Sequence, residues 1–425
     1  MKIVSVSALA LIGVAACGDN GVVTVDPCDG VTGTCVAIAA DATVEDIQGA
    51  LIAATPNSTI AFAAGTYELD RALSLSVSDV TIQGAGMNQT ILSFAGQVDG
   101  AQGLLVEGAN HFTIHDIAFE NAKGDQLKMV GVDGVVVRRV RTEWTAGPKS
   151  TNGAYGIYPV QCKHVLVENS IVKGASDSGL YVGQSEDVIV RNNDVQYNVA
   201  GIEIENTNRA DVYGNTATHN TGGILVFNLP GLQIKNAAET RVFDNMIVDN
   251  NTENFAPSGN IVASVPTGSG MVLLAAHNVE IYGNTIATHD TMSIGIASYQ
   301  IIGAPNDAAY VTDPDTINIH DNTMSGTHEH PTGPLGGLIL LTVGEVLTPV
   351  VVPDVIWDGI VNPAKAVSGD PTSLKPEFNI CMKNNGDADW GNLAFPNGDA
   401  YKASFDMSGH DCTLPAVAAV VVPGA

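Results

Sequence analysis

The sequence predicts an all-β fold wound as a parallel β-helix solenoid, and three observations carry that expectation. The 425 residues include 45 glycines, and only 5% are aromatic. That turn-dense composition favours strands over a helical bundle. A short β run closing on a turn asparagine recurs at Val188 to Asn193, Ala210 to Asn215, Thr240 to Asn245, Val279 to Asn284 and Ile317 to Asn322. A second pattern, glycine followed by alternating apolar residues, recurs at Gly103, Gly156, Gly179, Gly201, Gly223, Gly270, Gly295 and Gly337.

The turn asparagines at 193, 215, 245, 284 and 322 lie 22, 30, 39 and 38 residues apart. A constant signature on a variable period suits coils that each add one rung while their loops lengthen. Propeller blades need four strands per unit, more than these repeats supply, and the fixed leucine comb of leucine-rich repeats is missing. Asparagines stacked at one turn can satisfy buried backbone groups along a ladder. Inward residues at period two, Ile202 and Ile204, then Ile224 and Val226, fill the core.

Such a stack exposes apolar ends and needs caps. Residues 43–54 read as a helical N-terminal cap. Thr43 and Asp46 make a capping-box-like start, Val44, Ile47, Leu51 and Ala54 share one face, and Pro56 stops the helix. After about residue 350 the repeat signal fades, so 39–350 is expected to form the solenoid and 351–425 a disulfide-bearing C-terminal cap.

The N-terminus carries an export signal. Lys2 precedes the apolar run Ile3 to Val14, too short to span a bilayer. Val14-Ala15-Ala16-Cys17 resembles a lipobox, which makes 1–16 a signal peptide, Cys17 the lipidated residue and 17–38 a tether. Gly18 after the cysteine leans toward the outer membrane. Of the other cysteines, Cys28 with Cys35 and Cys381 with Cys412 are the simplest local pairs in an oxidising compartment. Cys162 is left as a buried thiol in a strand. With 45 acidic against 18 basic residues, the net charge of −27 repels nucleic acid, and repels polyanionic glycans unless cations bridge them.

Residues 39 to about 345 resemble right-handed β-helix repeat proteins of the pectate-lyase-like class. The segments Gly153 to Val160, Gly174 to Gln184, Ala200 to Asn206 and Thr221 to Phe227 resemble, more narrowly, a bacterial lipoprotein family often encoded beside a c-type cytochrome. The resemblance implies a right-handed parallel β-helix solenoid and a lipid anchor. It supplies no reaction and no catalytic residues.

Register then selects the site candidates. Aligning the glycine-led strands gives one outward column, Leu105, Lys128, Tyr158, Tyr181, Glu203 and Leu225, and a second, Glu107, Val130, Val160, Gly183, Glu205 and Phe227, with Gln161, Gln184 and Asn206 just beyond. Tyr158 and Tyr181, one rung or about 4.8 Å apart, suit sugar stacking, with Lys128, Gln161, Asp177, Gln184 and Asn206 as ligand-binding partners. The alternative is a ladder that only covers the sheet. Glu203 and Glu205, about 6.5–7 Å apart on one strand, are expected to be exposed. They are the candidate catalytic pair, at the lower end of the roughly 6.5–9.5 Å of inverting hydrolysis. With Asn206 they also suit one Ca²⁺; the plain alternative is a solvated acidic strand. Lys128 stands three rungs, about 14 Å, from Glu203, and Ile157-Tyr-Pro-Val-Gln161 stands where a mannuronan epimerase would carry its acid–histidine motif. Both departures weaken a lyase or epimerase assignment. His328-Glu329-His330, with His320 nearby, is a weak metal motif lacking a fixed third ligand.

Two functions follow as expectations: an envelope protein that binds or processes a carbohydrate, as a lyase, epimerase or hydrolase if it is an enzyme, or a non-catalytic scaffold that docks a partner such as a c-type cytochrome. Metal delivery is a third and weaker one. The anchor is tested directly: Cys17→Ala is expected to move the protein from the membrane fraction to the soluble fraction and to end fatty-acid labelling. A variant still membrane-bound without label would remove the lipobox assignment.

Overall fold

The computed structural model describes residues 26–368, 370–395 and 402–424. The lipobox and Cys17 lie outside the described residues. The fold is a right-handed parallel β-helix. Its coil has three faces. Face A runs from Thr34–Ile38 through Glu186–Arg191 to Ile380–Lys383, and face C is made of short strands such as Asp194–Gln196 and Thr216–Thr218. Face B is an eleven-stranded parallel sheet from Arg71–Leu75 to Trp390–Asn392. The stretch expected to be a tether thus supplies the first strand of face A, and the region past 350 supplies the last rungs of faces A and B along with its cap.

In-register stacking lines up like residues. Leu104, Leu127, Ile157, Leu180, Ile202, Ile224, Met271 and Ile294 form one inward column of face B, all buried. Helix α1 (Val44–Ile52) closes the N-terminal end with Val44, Ile47 and Leu51 buried in the same core, and its Thr43–Asp46 capping box is formed. Two expected strand signals are corrected. Gly337 lies in helix α2 (Gly333–Gly344), and Gly295 sits two positions further along its strand than the other repeat glycines, since Ser293 pairs beyond Gly270.

The asparagine ladder runs as expected and gains a rung, Asn385. Asn215 is typical. Its amide Nδ2 donates to Val190 O at 2.9 Å and to Asn245 Oδ1 at 3.0 Å, and its Oδ1 accepts from the Asn193 backbone N–H at 2.9 Å. A second ladder, Asn198–Asn220–Asn250, lines the turn between faces C and B. It ends on His289, which burial holds neutral with a pKa lowered to about 4. This ladder explains the repeat glycines: a Cβ at Gly179 would stand 2.6 Å from Asn198 Nδ2, and one at Gly201 would stand 2.9 Å from Asn220 Nδ2.

The expected disulfides Cys28–Cys35 and Cys381–Cys412 are both formed, and the Cys162 thiol is buried and free, its pKa pushed up to about 11 by burial. Beyond Cys412 the chain descends the outside of face A, crossing the rungs. Val417 N–H donates to Glu280 Oε2, Val420 N–H donates to Asp211 Oδ2, and Val422 packs on Leu166 and Ile189. These partners belong to one outward column, Leu166, Ile189, Asp211, Arg241 and Glu280. The tail is a strap that ties five rungs together, anchored by the second disulfide.

Asn215→Leu strips partners from at least two buried backbone groups, each worth about 1–3 kcal/mol. Destabilisation of several kcal/mol by urea unfolding is expected, and an unchanged midpoint would remove Asn215 from the ladder.

Candidate active site on the outer side of face B

The outward columns of face B are those read from the sequence. Lys128, Tyr158, Tyr181, Glu203 and Leu225 pair in succession, as do Val160, Gly183, Glu205 and Phe227. The exposure is different. Tyr181, Glu203 and Glu205 face away from the core yet are buried, with 4%, 2% and 9% of their surface exposed. Two insertions form the roof. In residues 228–237, Gln233 N–H donates to Gln184 Oε1. In residues 249–268, Asn260 Nδ2 donates to Asp177 Oδ2 at 2.8 Å, while Val262 and Val265 pack with Val199, Ala200 and Leu225. The jump of the turn-asparagine spacing from 22 to 30 and then 39 residues was the sequence signal for this roof. The extra residues fold over the outer face.

Beneath the roof the side chains are fixed by one another. Ser178 Oγ lies within hydrogen-bond distance of both Asp177 Oδ1 and Glu203, with one proton to share between them, and Tyr181 Oη donates to Glu205 Oε1 at 2.7 Å. Tyr155, Tyr158 and Tyr181 form a triangle of ring centroids 4.4, 4.7 and 4.9 Å apart. Lys128 Nζ lies 4.4 Å over the Tyr158 ring and 3.1 Å from Asp125. Lys128, Tyr155 and Tyr158 are half-buried, so the cluster meets solvent at this rim.

Strict alternation hid Tyr155, Asp125 and Ser178 from the sequence reading, and Asn260 lies in the 249–268 loop, which has no period to read. Gly156 and Ile157 both face inward; a Cβ on Gly156 would meet Val172 Cγ1 at 2.4 Å. Tyr155 and Tyr158 therefore emerge on the same outer side three residues apart. The same break at Gly179 brings Ser178 beside Asp177 and Glu203.

Electrostatics follow from burial. Asp177 is raised to about 6 and Glu205 to about 7, and Glu203 is raised well above the usual carboxylate range. Desolvation leads in each case. The neighbouring acids add to the rise, and the hydroxyl donors oppose it. The tyrosine hydroxyls rise too, Tyr158 to about 12. On face A, by contrast, Tyr213, Phe243, Tyr282 and His320 stack with interplanar angles of 11°, 2° and 3°. That flat ladder covers its sheet, whereas the face B tyrosines tilt by 43–87° around carboxylates.

Residues 70–238 match the family model described as a right handed beta helix region. No curated protein matches the chain. Among solved structures, the A-module of a mannuronan C-5 epimerase from Azotobacter vinelandii aligns over 80% of this chain and 90% of its own, with 17% identity and a TM-score of 0.51. The A-module of a second mannuronan C-5 epimerase from that organism aligns over 80% and 88%, with 18% identity and a TM-score of 0.48. The likeness is one of fold.

Of the residues selected from sequence, Lys128, Tyr158, Asp177, Tyr181, Glu203 and Glu205 come together. Asn206 and Gln184 serve the roof instead. Asn206 Nδ2 donates to Leu229 O and Ile234 O and its Oδ1 accepts from Leu229 N–H, which takes it out of the Ca²⁺ set expected with the two glutamates. Gln161 is exposed, at a left-handed turn position. His328 pairs with Asp354 and His320 with Glu280 and Asp321, so the weak metal motif is divided between separate ion pairs. Among the described residues no group of three His, Cys, Asp or Glu could hold a metal ion.

Raised carboxyl pKa values favour the folded state while the groups are protonated. Their contribution is full below the unfolded values near 4 and is lost as pH rises through about 6–7. Glu203→Gln/Glu205→Gln keeps acceptors for Ser178 and Tyr181 and removes the two glutamates' share of that loss. The double variant is expected to melt several degrees above wild type at pH 8 and within a degree or two of it at pH 4.5. Equal melting temperatures at pH 8 would show that the two acids are ionised without penalty.

Proposed function

We propose that the chain is a lipid-anchored protein of the cell envelope that binds a neutral carbohydrate at the rim of the face B cluster. The observation that carries this reading is the tilted triangle of Tyr155, Tyr158 and Tyr181, backed by buried carboxylates and opened to solvent beside Lys128 and Asp125. Aromatic rings cover the apolar faces of a sugar, and charged and amide groups at their edge read its hydroxyls. The net charge of −27 disfavours a polyanion, and Lys128, the cation at the rim, already pairs with Asp125. A fold shared with a protein named as a mannuronan epimerase fits a carbohydrate partner.

In this reading Glu205 holds Tyr181 and Glu203 holds Ser178, so the acids set the platform from behind. Lyase, epimerase or hydrolase chemistry by Glu203 and Glu205 would require the 249–268 insertion to lift and admit the sugar. A second reading, a scaffold that docks a partner such as a c-type cytochrome, is favoured by the depth of these acids and by the overall charge, which suits a cationic partner surface.

A glycan array followed by calorimetry on the lipid-free protein tests the first reading. Wild type is expected to bind a neutral glycan, and Tyr158→Ala to weaken it about tenfold, the loss of one aromatic contact worth roughly 0.5–1.5 kcal/mol plus its buried area. Tyr213→Ala, on the flat ladder of face A, should leave affinity unchanged. Glycan binding that ignores Tyr158→Ala, or no binding to any glycan alongside co-purification of a membrane partner, would transfer the case to the scaffold.

A further inference from the structure

The outer side of face B changes character one rung past the acids. Glu203 is followed in register by Leu225, Val272, Gly295 and Ile356, and Glu205 by Phe227, Leu274 and Ala297. Over these apolar rungs the 249–268 insertion, the loop after Ala297 and helix α2 form a second roof. Between roof and sheet lies a cavity of about 80 Å³, with Phe227, Leu274, Met292, Ile302, Leu338 and Ile339 among its walls. Protein interiors are packed as densely as organic crystals, and this apolar space between roof and sheet is lined for an apolar ligand.

Three features define that occupant. The floor is open because Gly295 stands where the adjacent rungs carry Val272 and Ile356. Its φ is not positive, so its backbone does not demand glycine, and the space its side chain would take is partly covered by the flexible Met292, whose Cε lies 2.5 Å from the position of a Cβ. The walls are almost wholly apolar, with Ser264 and Asp358 the polar residues among them. Asp358, the one acid among them, accepts from Ser298 N–H at 2.6 Å and Ile360 N–H at 3.0 Å, and burial raises its pKa to about 7. Finally, the roof helix is apolar all round. α2 reads Gly-Pro-Leu-Gly-Gly-Leu-Ile-Leu-Leu-Thr-Val-Gly without one charge. Ile339 and Val343 are buried, while Leu341 on the other side is 65% exposed and is followed by exposed Val346, Val350 and Val351. Among the described residues its one side-chain hydrogen bond, Thr342 Oγ1 to Leu338 O, stays inside the helix. A surface helix normally carries a polar face, and a contiguous exposed apolar patch marks an interaction site.

We propose that this cavity binds the alkyl chain of a single-tailed amphiphile, with α2 as its lid, the polar head remaining at the mouth and the exposed side of α2 meeting the lipid surface from which the chain is taken. A flexible aliphatic chain fits walls of leucine, isoleucine, valine and methionine and asks for no hydrogen bond. A rigid or polar ligand would leave its own groups unpaired. The site stands independently of the sugar reading, which uses other rungs.

The test uses the full chain without its lipid, the fluorescent probe N-phenyl-1-naphthylamine, and lauric acid below its micelle concentration as competitor. Saturable probe binding displaced by lauric acid is expected. Gly295→Leu and Ala297→Met, which fill the floor, should each weaken it at least tenfold with unchanged or raised melting temperature. If either fails to fold, Leu338→Asp on the half-buried side of the lid decides instead. Leu341→Lys should leave displacement by dissolved lauric acid unchanged while slowing uptake of the same acid from phosphatidylcholine vesicles. Equal slowing from both sources would assign the exposed face to folding and overturn the lipid-surface part. Non-saturable probe binding, or wild-type affinity in the folded floor and lid variants, would overturn the site itself. Glycan affinity measured on Gly295→Leu should be that of wild type, which keeps failure of this site distinct from failure of the sugar site.

Discussion

Every other feature of this molecule depends on the need to satisfy buried backbone groups at the turns of a stacked coil. Each coil bends at a corner where amides and carbonyls lie out of reach of water. The asparagine side chains supply both partners: an oxygen for the amide of the rung before and an NH₂ for a carbonyl on the sheet. Because each asparagine also contacts the next one, the corner is a continuous line of amides from Asn193 to Asn385. An unsatisfied buried group costs about 1–3 kcal/mol, so a slip of one rung would disrupt several corners together.

The ladders also determine where chemistry can sit. The second one fills the space under the repeat glycines, and that forces two successive residues inward and delivers the residue before each glycine to the outer side. Ser178 reaches the site in this way, and Tyr155 by the same inward turn at Gly156, where Val172 and Thr142 fill the space. Insertions then turn an exposed face into an interior. Acids in that interior cannot ionise freely: the charged form loses water and faces like charges, while the hydroxyls of Ser178 and Tyr181 return only part of the loss. The cluster thus holds protons to higher pH than ordinary carboxyls do, a condition set by burial more than by any single neighbour.

One insertion roofs both the acidic rungs and the apolar cavity beside them. The opposite constraint acts on face A. There the C-terminal strap crosses the rungs, using backbone N–H groups to cover the carboxylates of Glu280 and Asp211 and valines to cover Leu166 and Ile189. Face A is closed by its own chain, and face B is covered by loops that leave a rim and a cavity.

The sequence by itself determined the coil, its register and the outward columns, because period-two alternation and a turn asparagine on each rung from Asn193 onward are local signals. Thr43 with Asp46 identified the first cap, and the closeness of Cys28 to Cys35 and the shared C-terminal location of Cys381 and Cys412 identified both disulfides. Even the pairing of Tyr181 with Glu203 and of Gly183 with Glu205 could be read, since parallel in-register stacking carries alignment directly into space. What only the tertiary structure decided was burial. Glu203 and Glu205 point outward in either account, but whether water reaches them depends on where residues 228–237 and 249–268 fold, and loops without period have no register to read. The same limit hid α2, whose glycine-led apolar run mimics a strand, and the strap, whose partners lie 137 and 209 residues away in sequence. Local pattern fixes which way a side chain points on a strand; what is packed over it is a long-range contact that the pattern does not encode.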